Sequence, residues 1–320
     1  MSERRPRRIV RDSLDAHPAL QAWRAVRPQE PPPESIEAIC ERTNCWSFAL
    51  VGAGPGGSTI IAKRRLLSDA SVERAVYEHV LPSIPIATPD YYGCKEDGEF
   101  VWLLLQAVDG VRYSASNPDH LAMAARQLAV MHTSSRTLGR AFSLPDAGPK
   151  RYLAHLVNGR EAIRTSLRTS KTLDDSNRAN LGRIVAQLDR VETSWTQICA
   201  HCDDAPDTLV HGDFRPKNVF VRRDGADLVA FDWETAGWGP PAPDLTRVDA
   251  VAYWHAVHQS WAVSLETVRR WARVGHVFQL LAAIDWTSLE LVFDTRETLA
   301  GPLADLDILS ADLARFSEFL

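Results

Sequence analysis

Two short stretches carry most of the information in this chain. Val210-His211-Gly212-Asp213-Phe214-Arg215-Pro216-Lys217-Asn218-Val219 is followed by Phe231-Asp232-Trp233-Glu234. Asp213, Asn218 and Asp232 fall at the junctions of short apolar runs, where loops are held rigidly enough for phosphate and magnesium chemistry. Val219-Phe220-Val221 and Leu228-Val229-Ala230-Phe231 read as strands, and Arg223-Asp224-Gly225-Ala226 between them carries an Asp-Gly hairpin signal. With the hairpin centred near Gly225, Asn218 lies seven residues before it and Asp232 seven after. The two are therefore expected to face each other, with Cα atoms roughly 4.5 to 5.5 Å apart. An amide oxygen and a carboxylate converging in this way suit magnesium, which keeps further positions for water and phosphate. Asp213, five residues upstream of Asn218 in a Pro-containing loop, is placed to accept a hydroxyl proton without ligating the metal.

On these residues the chain resembles the aminoglycoside phosphotransferase and choline kinase family, small-molecule relatives of the protein kinases. The family's catalytic loop reads His-Gly-Asp, four residues, then Asn, which is His211 to Asn218 here; its metal loop, Asp-Trp-Glu after a strand, is Asp232 to Glu234. The likeness continues through Gly237, Pro240, Asp244 and Leu245. It implies an α+β, bilobal, protein-kinase-like fold: a small N-lobe with an antiparallel sheet and one key helix, and a larger, mostly helical C-lobe. The corresponding organisation is an arm and linker over 1–33, a nucleotide-binding N-lobe over 34–105, and a C-lobe over 106–320 with hinge, catalytic loop and acceptor site.

The N-terminal half tests this independently. Gly52-Ala53-Gly54-Pro55-Gly56-Gly57 fits Gly-x-Gly-x-x-Gly, a pattern that also suits a dinucleotide fold. Ser58-Thr59-Ile60-Ile61-Ala62-Lys63 is β-branched and short, a strand where a dinucleotide fold would need a helix. The glycines thus read as a hairpin tip, with Gly54, Gly57 and Ser58 near the triphosphate and Lys63 reaching the α and β phosphates. In the helix that follows, Val76, Tyr77 and Val80 stand three, four and seven residues after Glu73, so Glu73 points inward as the partner of Lys63 and Glu78 does not. The family's Glu-x-x-x-Tyr pattern agrees.

The resemblance implies further roles. Phe100 to Leu105 is a buried strand running into the hinge, where the Gln106 carbonyl and the Val108 amide would bond the adenine edge. Arg215 sits where protein kinases keep a lysine near the transferring phosphoryl, with Lys217 the competing cation. His211 and Asp244 are expected to support the loop. A helix face through Leu121, Ala124, Ala125, Leu128, Met131 and His132 ends in a packed histidine, and Leu153 to Leu167 and Asn180 to Ile198 read as further helices.

The expected activity is magnesium-dependent transfer of the γ-phosphoryl of ATP or GTP to a hydroxyl of a small molecule. An antibiotic such as an aminoglycoside and an ordinary hydroxylated metabolite both stay open as acceptors. Residues 240–320 carry six Lys/Arg against eleven Asp/Glu, which suits a polycation, and Trp238, Trp254, Trp261, Trp271 and Trp286 would suit a ring. A protein kinase is disfavoured, because only eleven residues separate Asp232 from Asp244, with no Asp-Phe-Gly or Ala-Pro-Glu. A pseudokinase would be expected to lack one of Lys63, Asp213, Asn218 or Asp232.

At 320 residues and 45% apolar composition the chain can bury a sizeable core, and a net charge of −5 gives no support for nucleic-acid binding. No apolar run approaches the ~20 residues of a membrane helix, and no secretory signal is evident, so a cytoplasmic location is expected. Arg4, Arg5, Arg7, Arg8 and Arg11 read as a solvated arm, and Pro28 to Pro33 as a stiff linker behind a helical segment around Leu14 to Val26. Five cysteines without framework spacing fit a reducing compartment, and Cys199-Ala200-His201-Cys202 lacks the further ligands that zinc requires. Oligomeric state is not legible.

Overall fold

The computed structural model describes residues 8–42, 45–139, 142–223, 225 and 227–317. Arg4, Arg5 and Arg7 of the arm, and Asp224 and Ala226 of the hairpin tip, lie outside the described residues. Two compact units emerge, one of residues 1–114 with 215–235, the other of 115–214 with 236–320.

The first unit is built on β1 (Ile9–Val10), β2 (Ser35–Arg42), β3 (Cys45–Val51), β4 (Ile60–Leu66), β5 (Tyr91–Asp97) and β6 (Phe100–Gln106). They form an antiparallel sheet in the order β1-β2-β3-β4-β6-β5. Two helices cover it, α1 (Pro18–Val26) and α2 (Leu67–Ala75). Strand alternation divides the side chains between them. Ile60, Ala62, Trp102 and Leu104 join Leu20 and Trp23 of α1 in one core, while Val101 and Leu103 meet Ala70 of α2. Lys63 pairs with Leu103 across the sheet, so it lies on the α2 side.

Two expectations about the N-terminus change. From Arg8 onward the arm is tied down, because β1 pairs with the edge of β2 and the Arg8 carbonyl accepts the Ala38 N–H. The segment expected to be helical around Leu14 to Val26 is so, a 3-10 turn over Leu14–Ala16 followed by α1 from Pro18, but it packs into the core rather than standing apart behind the proline-rich stretch. Its i, i+3 pair Leu20 and Trp23 is completely buried. The helix carrying Glu73 also differs: α2 begins at Leu67 and gives way to a wider π-type turn over Val76–Val80. The first unit adds one more short strand, β7 (Gly110–Arg112).

The second unit contributes α3 (Pro118–Leu138), α4 (Pro149–Thr169), α5 (Asp175–Thr193), α6 (Trp195–Ala200) and β8 (Thr208–Val210). Three of these helices start at capping signals: Asn117 before Pro118, Pro149 at a first position, and Asp174, whose carboxylate accepts the Asn177 N–H. The chain then returns to the first unit for β9 (Val219–Arg222) and β10 (Leu228–Ala230), a hairpin continued by β7. Finally β11 (Gly237–Gly239) pairs antiparallel with β8, and α7 (Ala250–Val257), α8 (Leu265–Leu289) and α9 (Arg296–Ser317) complete the second unit. α8 is its axis. Gly159 of α4 faces the Asp285 backbone, Phe278 stacks on Tyr152 at 4.4 Å, and Gly275 lies so close to Ala242 that an added Cβ would sit 1.8 Å from its carbonyl oxygen. Among the described residues no helix is long and apolar enough to cross a membrane.

Candidate active site

In the first unit the glycines form the tip of the β3–β4 hairpin. The Gly54 N–H donates to Ser58 (2.8 Å), the Gly57 N–H to Gly54 (3.0 Å) and the Ser58 N–H to Pro55 (3.3 Å). Gly52, Gly56 and Gly57 hold φ near +70°, open to glycine at little cost. In this conformation the amides of Gly54, Gly57 and Ser58 donate within the loop and so define its shape.

Lys63 lies at the centre of a charged cluster. Its ammonium donates to Glu73 Oε2 at 2.6 Å and to Asp232 Oδ1. Glu73 is 1% exposed. Glu78, by contrast, binds Arg74 and the Tyr91 hydroxyl. Burial opposes the charge on Lys63, but Glu73 and Asp232 outweigh it and raise its pKa. Burial likewise acts to raise Asp232, and the Lys63 ammonium, helped by Arg65 and Lys217, overcomes it and lowers the carboxyl. A second pair, Arg65 with Glu234, runs alongside. It follows the same logic, since Arg65 is two residues beyond Lys63 on one strand face and Glu234 two beyond Asp232.

The hairpin register corrects one expectation. Val219 pairs with Ala230 and Val221 with Leu228, and Asn218 accepts the Phe231 N–H through its carbonyl at 3.0 Å. Phe231, not Asp232, is therefore opposite Asn218. The pairing is centred half a residue before Gly225, and half a residue there becomes a full residue at the strand ends. Asp232 lies just past the strand in the left-handed region, φ 68°, so its direction is set by that turn and by Lys63 rather than by the pleat. Asn218 is 3% exposed. Arg215 is half-buried and Lys217 exposed, and of these two cations Lys217 is the one that helps lower Asp232. At the end of β6 the Gln106 and Ala107 N–H groups bond Asp90 and Thr59. The Val108 N–H donates to no acceptor among the described residues.

The second unit holds Asp213, 4% exposed, on a loop braced from behind. Fully buried Asp244 accepts the N–H groups of His211 (2.8 Å) and Gly212 (2.9 Å) and faces His132 Nε2 at 3.3 Å. His132 Nδ1 in turn meets the Tyr253 hydroxyl at 2.8 Å. The His211 Nδ1 accepts the Asp213 N–H, and Gln279 of α8 donates to the Gly212 carbonyl at 2.6 Å. Gln279 and Tyr253 went unread in the sequence, because a helix glutamine and a buried tyrosine have nothing in type or spacing to mark them. Three of the five tryptophans proposed for an acceptor wall, Trp238, Trp261 and Trp271, are core residues at 5% exposure or less. Only Trp254 and Trp286 keep a partly exposed face. At Cys199-Ala200-His201-Cys202, burial raises both thiols, Cys202 to about 12, against any thiolate role.

A model of the phosphotransferase enzyme family matches residues 47–287. The chain belongs to that family. No curated protein matches it. Among solved structures it is similar to the GDP complex of a mutant aminoglycoside 2'-phosphotransferase-IIIa, at 15% identity and TM-score 0.64 over 92% of this chain and 96% of that one. It is also similar to choline kinase from Cryptosporidium parvum Iowa II, at 11% identity and TM-score 0.60 over 89% of each chain. A third likeness is to a spectinomycin phosphotransferase in complex with ADP and spectinomycin, at 12% identity and TM-score 0.59 over 93% and 98%. The family's kinase-like fold is therefore the fold of this chain.

Proposed function

We propose that this member of the phosphotransferase family is a magnesium-dependent kinase that moves the γ-phosphoryl of ATP or GTP to a hydroxyl of a small molecule. The observation that carries the reading is Lys63, buried and held between Glu73 and Asp232. A buried ammonium fixed by one inward carboxylate is ready to receive phosphate oxygens, and a second carboxylate beside it, 25% exposed, can turn to a cation. Asn218 and Asp232 supply two hard oxygens, and no group of three or more acidic, histidine or cysteine ligands exists among the described residues. That donor set fits magnesium, which takes one or two protein oxygens and fills its octahedron with phosphate and water. Bound there, the ion would neutralise charge on the β and γ phosphates.

The chain's own residues do the rest. Lys63 places the nucleotide, the glycine loop covers the phosphates, and the Gln106 carbonyl and Val108 N–H read the base edge. Asp213 orients the acceptor hydroxyl and takes its proton, while Asp244 keeps the loop in shape through its two backbone N–H bonds. Arg215 or Lys217 offsets charge on the transferring group. Aminoglycosides and hydroxylated metabolites both remain acceptors to test. The test is a mass-spectrometric screen for a gain of phosphate on aminoglycosides, macrolides, nucleosides, choline-like alcohols and sugars, with ATP and GTP as donors. A phosphorylated product that needs magnesium and is absent with Asp213→Ala supports the reading; the same product from Asp213→Ala refutes the assigned base.

A further inference from the structure

The N-terminal helix reaches the glycine loop directly. Trp23 of α1 is fully buried, and its indole Nε1 donates to the Ala53 carbonyl at 3.0 Å. The Ala53 carbonyl and the Gly54 N–H belong to one planar peptide unit. On its other edge that unit is held by the Gly54 N–H bond to Ser58 at 2.8 Å. The indole is itself held in place: Tyr92 stands edge-on to Trp23 at 5.3 Å and carries Arg27 over its ring. A Cβ on Gly54 would meet Ser58 Oγ at 2.4 Å and Ile60 Cδ1 at 2.6 Å, so the loop base has no slack on the inside.

We propose that α1 sets the shape of the phosphate loop, with Trp23 as a positioning residue that fixes the Ala53–Gly54 peptide plane for nucleoside triphosphate binding. This rests on the assignment of the glycine loop to a nucleotide. Without the indole N–H the buried Ala53 carbonyl is left unpaired, and a rotation of the peptide toward another donor or water is opposed by the Gly54–Ser58 bond alone. The phosphate-binding conformation then becomes one of several. Affinity falls for ligands that carry phosphates and is unchanged for those that do not.

The experiment is calorimetric titration of the full chain and its Trp23→Phe variant with Mg-ATP and, separately, with adenosine. Phenylalanine keeps an aromatic ring in the core and removes the donor together with part of the indole's volume, and the adenosine arm registers any general loosening that the lost volume causes. The expected result is about fivefold weaker Mg-ATP binding, the effect of one net hydrogen bond, with adenosine affinity unchanged. Equal affinity for Mg-ATP, or an equal loss for both ligands, overturns the positioning role. A wild-type chain that binds adenosine or nothing, but not Mg-ATP, brings down the nucleotide assignment itself. Should Trp23→Phe fail to fold, Tyr92→Leu, which removes the ring seated edge-on against Trp23, decides: the same split between Mg-ATP and adenosine supports the positioning role, and its absence overturns it.

Discussion

Lys63 is the residue on which the nucleotide side of the proposal turns. Its two carboxylate partners are not equivalent, since Glu73 is sealed in and Asp232 retains a quarter of its surface. Glu73→Gln removes the fixed partner and should weaken Mg-nucleotide binding about tenfold, the loss of a charge-assisted bond. Glu78→Gln, five residues on and bonded to Arg74, should leave it unchanged; titration of both variants checks this. The same cluster fixes a pH dependence. Asp232 is lowered on folding, so its contribution to stability is present above the unfolded value of ~3.9 and is lost as pH falls through the folded one. Lys63 is raised, so its contribution is present below ~10.4 and is lost as pH rises through its folded value. A Lys63→Met/Asp232→Asn double-mutant cycle, followed by denaturant unfolding, should therefore give a coupling that is flat from about pH 5 to 9 and shrinks outside. A coupling that changes between pH 6 and 8 would mean that another group governs the pair.

Elements differ in how openly the sequence declares them. The His-Gly-Asp loop, its Asn and the Asp-Trp-Glu loop stand out in the sequence because the proposed chemistry needs particular residue types at fixed spacing, and Asp244 stands out with them; its bonds to the loop backbone are present in the structure. The β9–β10 register is not legible there, because the turn's centre depends on backbone bonds that residue types do not specify. Nor is the docking of α1, where a run of prolines reads as a spacer although Leu20 and Trp23 are spaced as a buried helix face. Gln279, Tyr253 and the close approach of Gly275 to Ala242 arise only when distant helices meet. The brace itself is testable. Asp244→Asn keeps one acceptor oxygen and turns an NH₂ toward a backbone N–H, leaving a buried donor unpaired. It should cost about 2 to 3 kcal/mol of stability and lower kcat more than KM, read by thermal unfolding and steady-state kinetics.

For the whole molecule, a ligand that binds only the folded chain must raise its stability. Mg-ATP or Mg-GTP at a hundredfold excess over Kd should add about 2.7 kcal/mol, seen as a rise in Tm. Asp232→Asn should abolish most of that rise, and a chelator should do the same for the wild type. Whichever of the two nucleotides gives the larger rise at equal concentration is the preferred donor, a choice the nucleotides in the similar structures leave open. Transfer itself is the final criterion. Its most direct measure is the single-turnover rate of phosphoryl transfer from saturating Mg-nucleotide to the acceptor found by the screen, for wild type and Asp213→Ala, with nucleotide Kd determined on the same samples. The account predicts a fall of about 10²- to 10⁴-fold in rate with Kd unchanged, as for loss of a general base. Equal rates would contradict it.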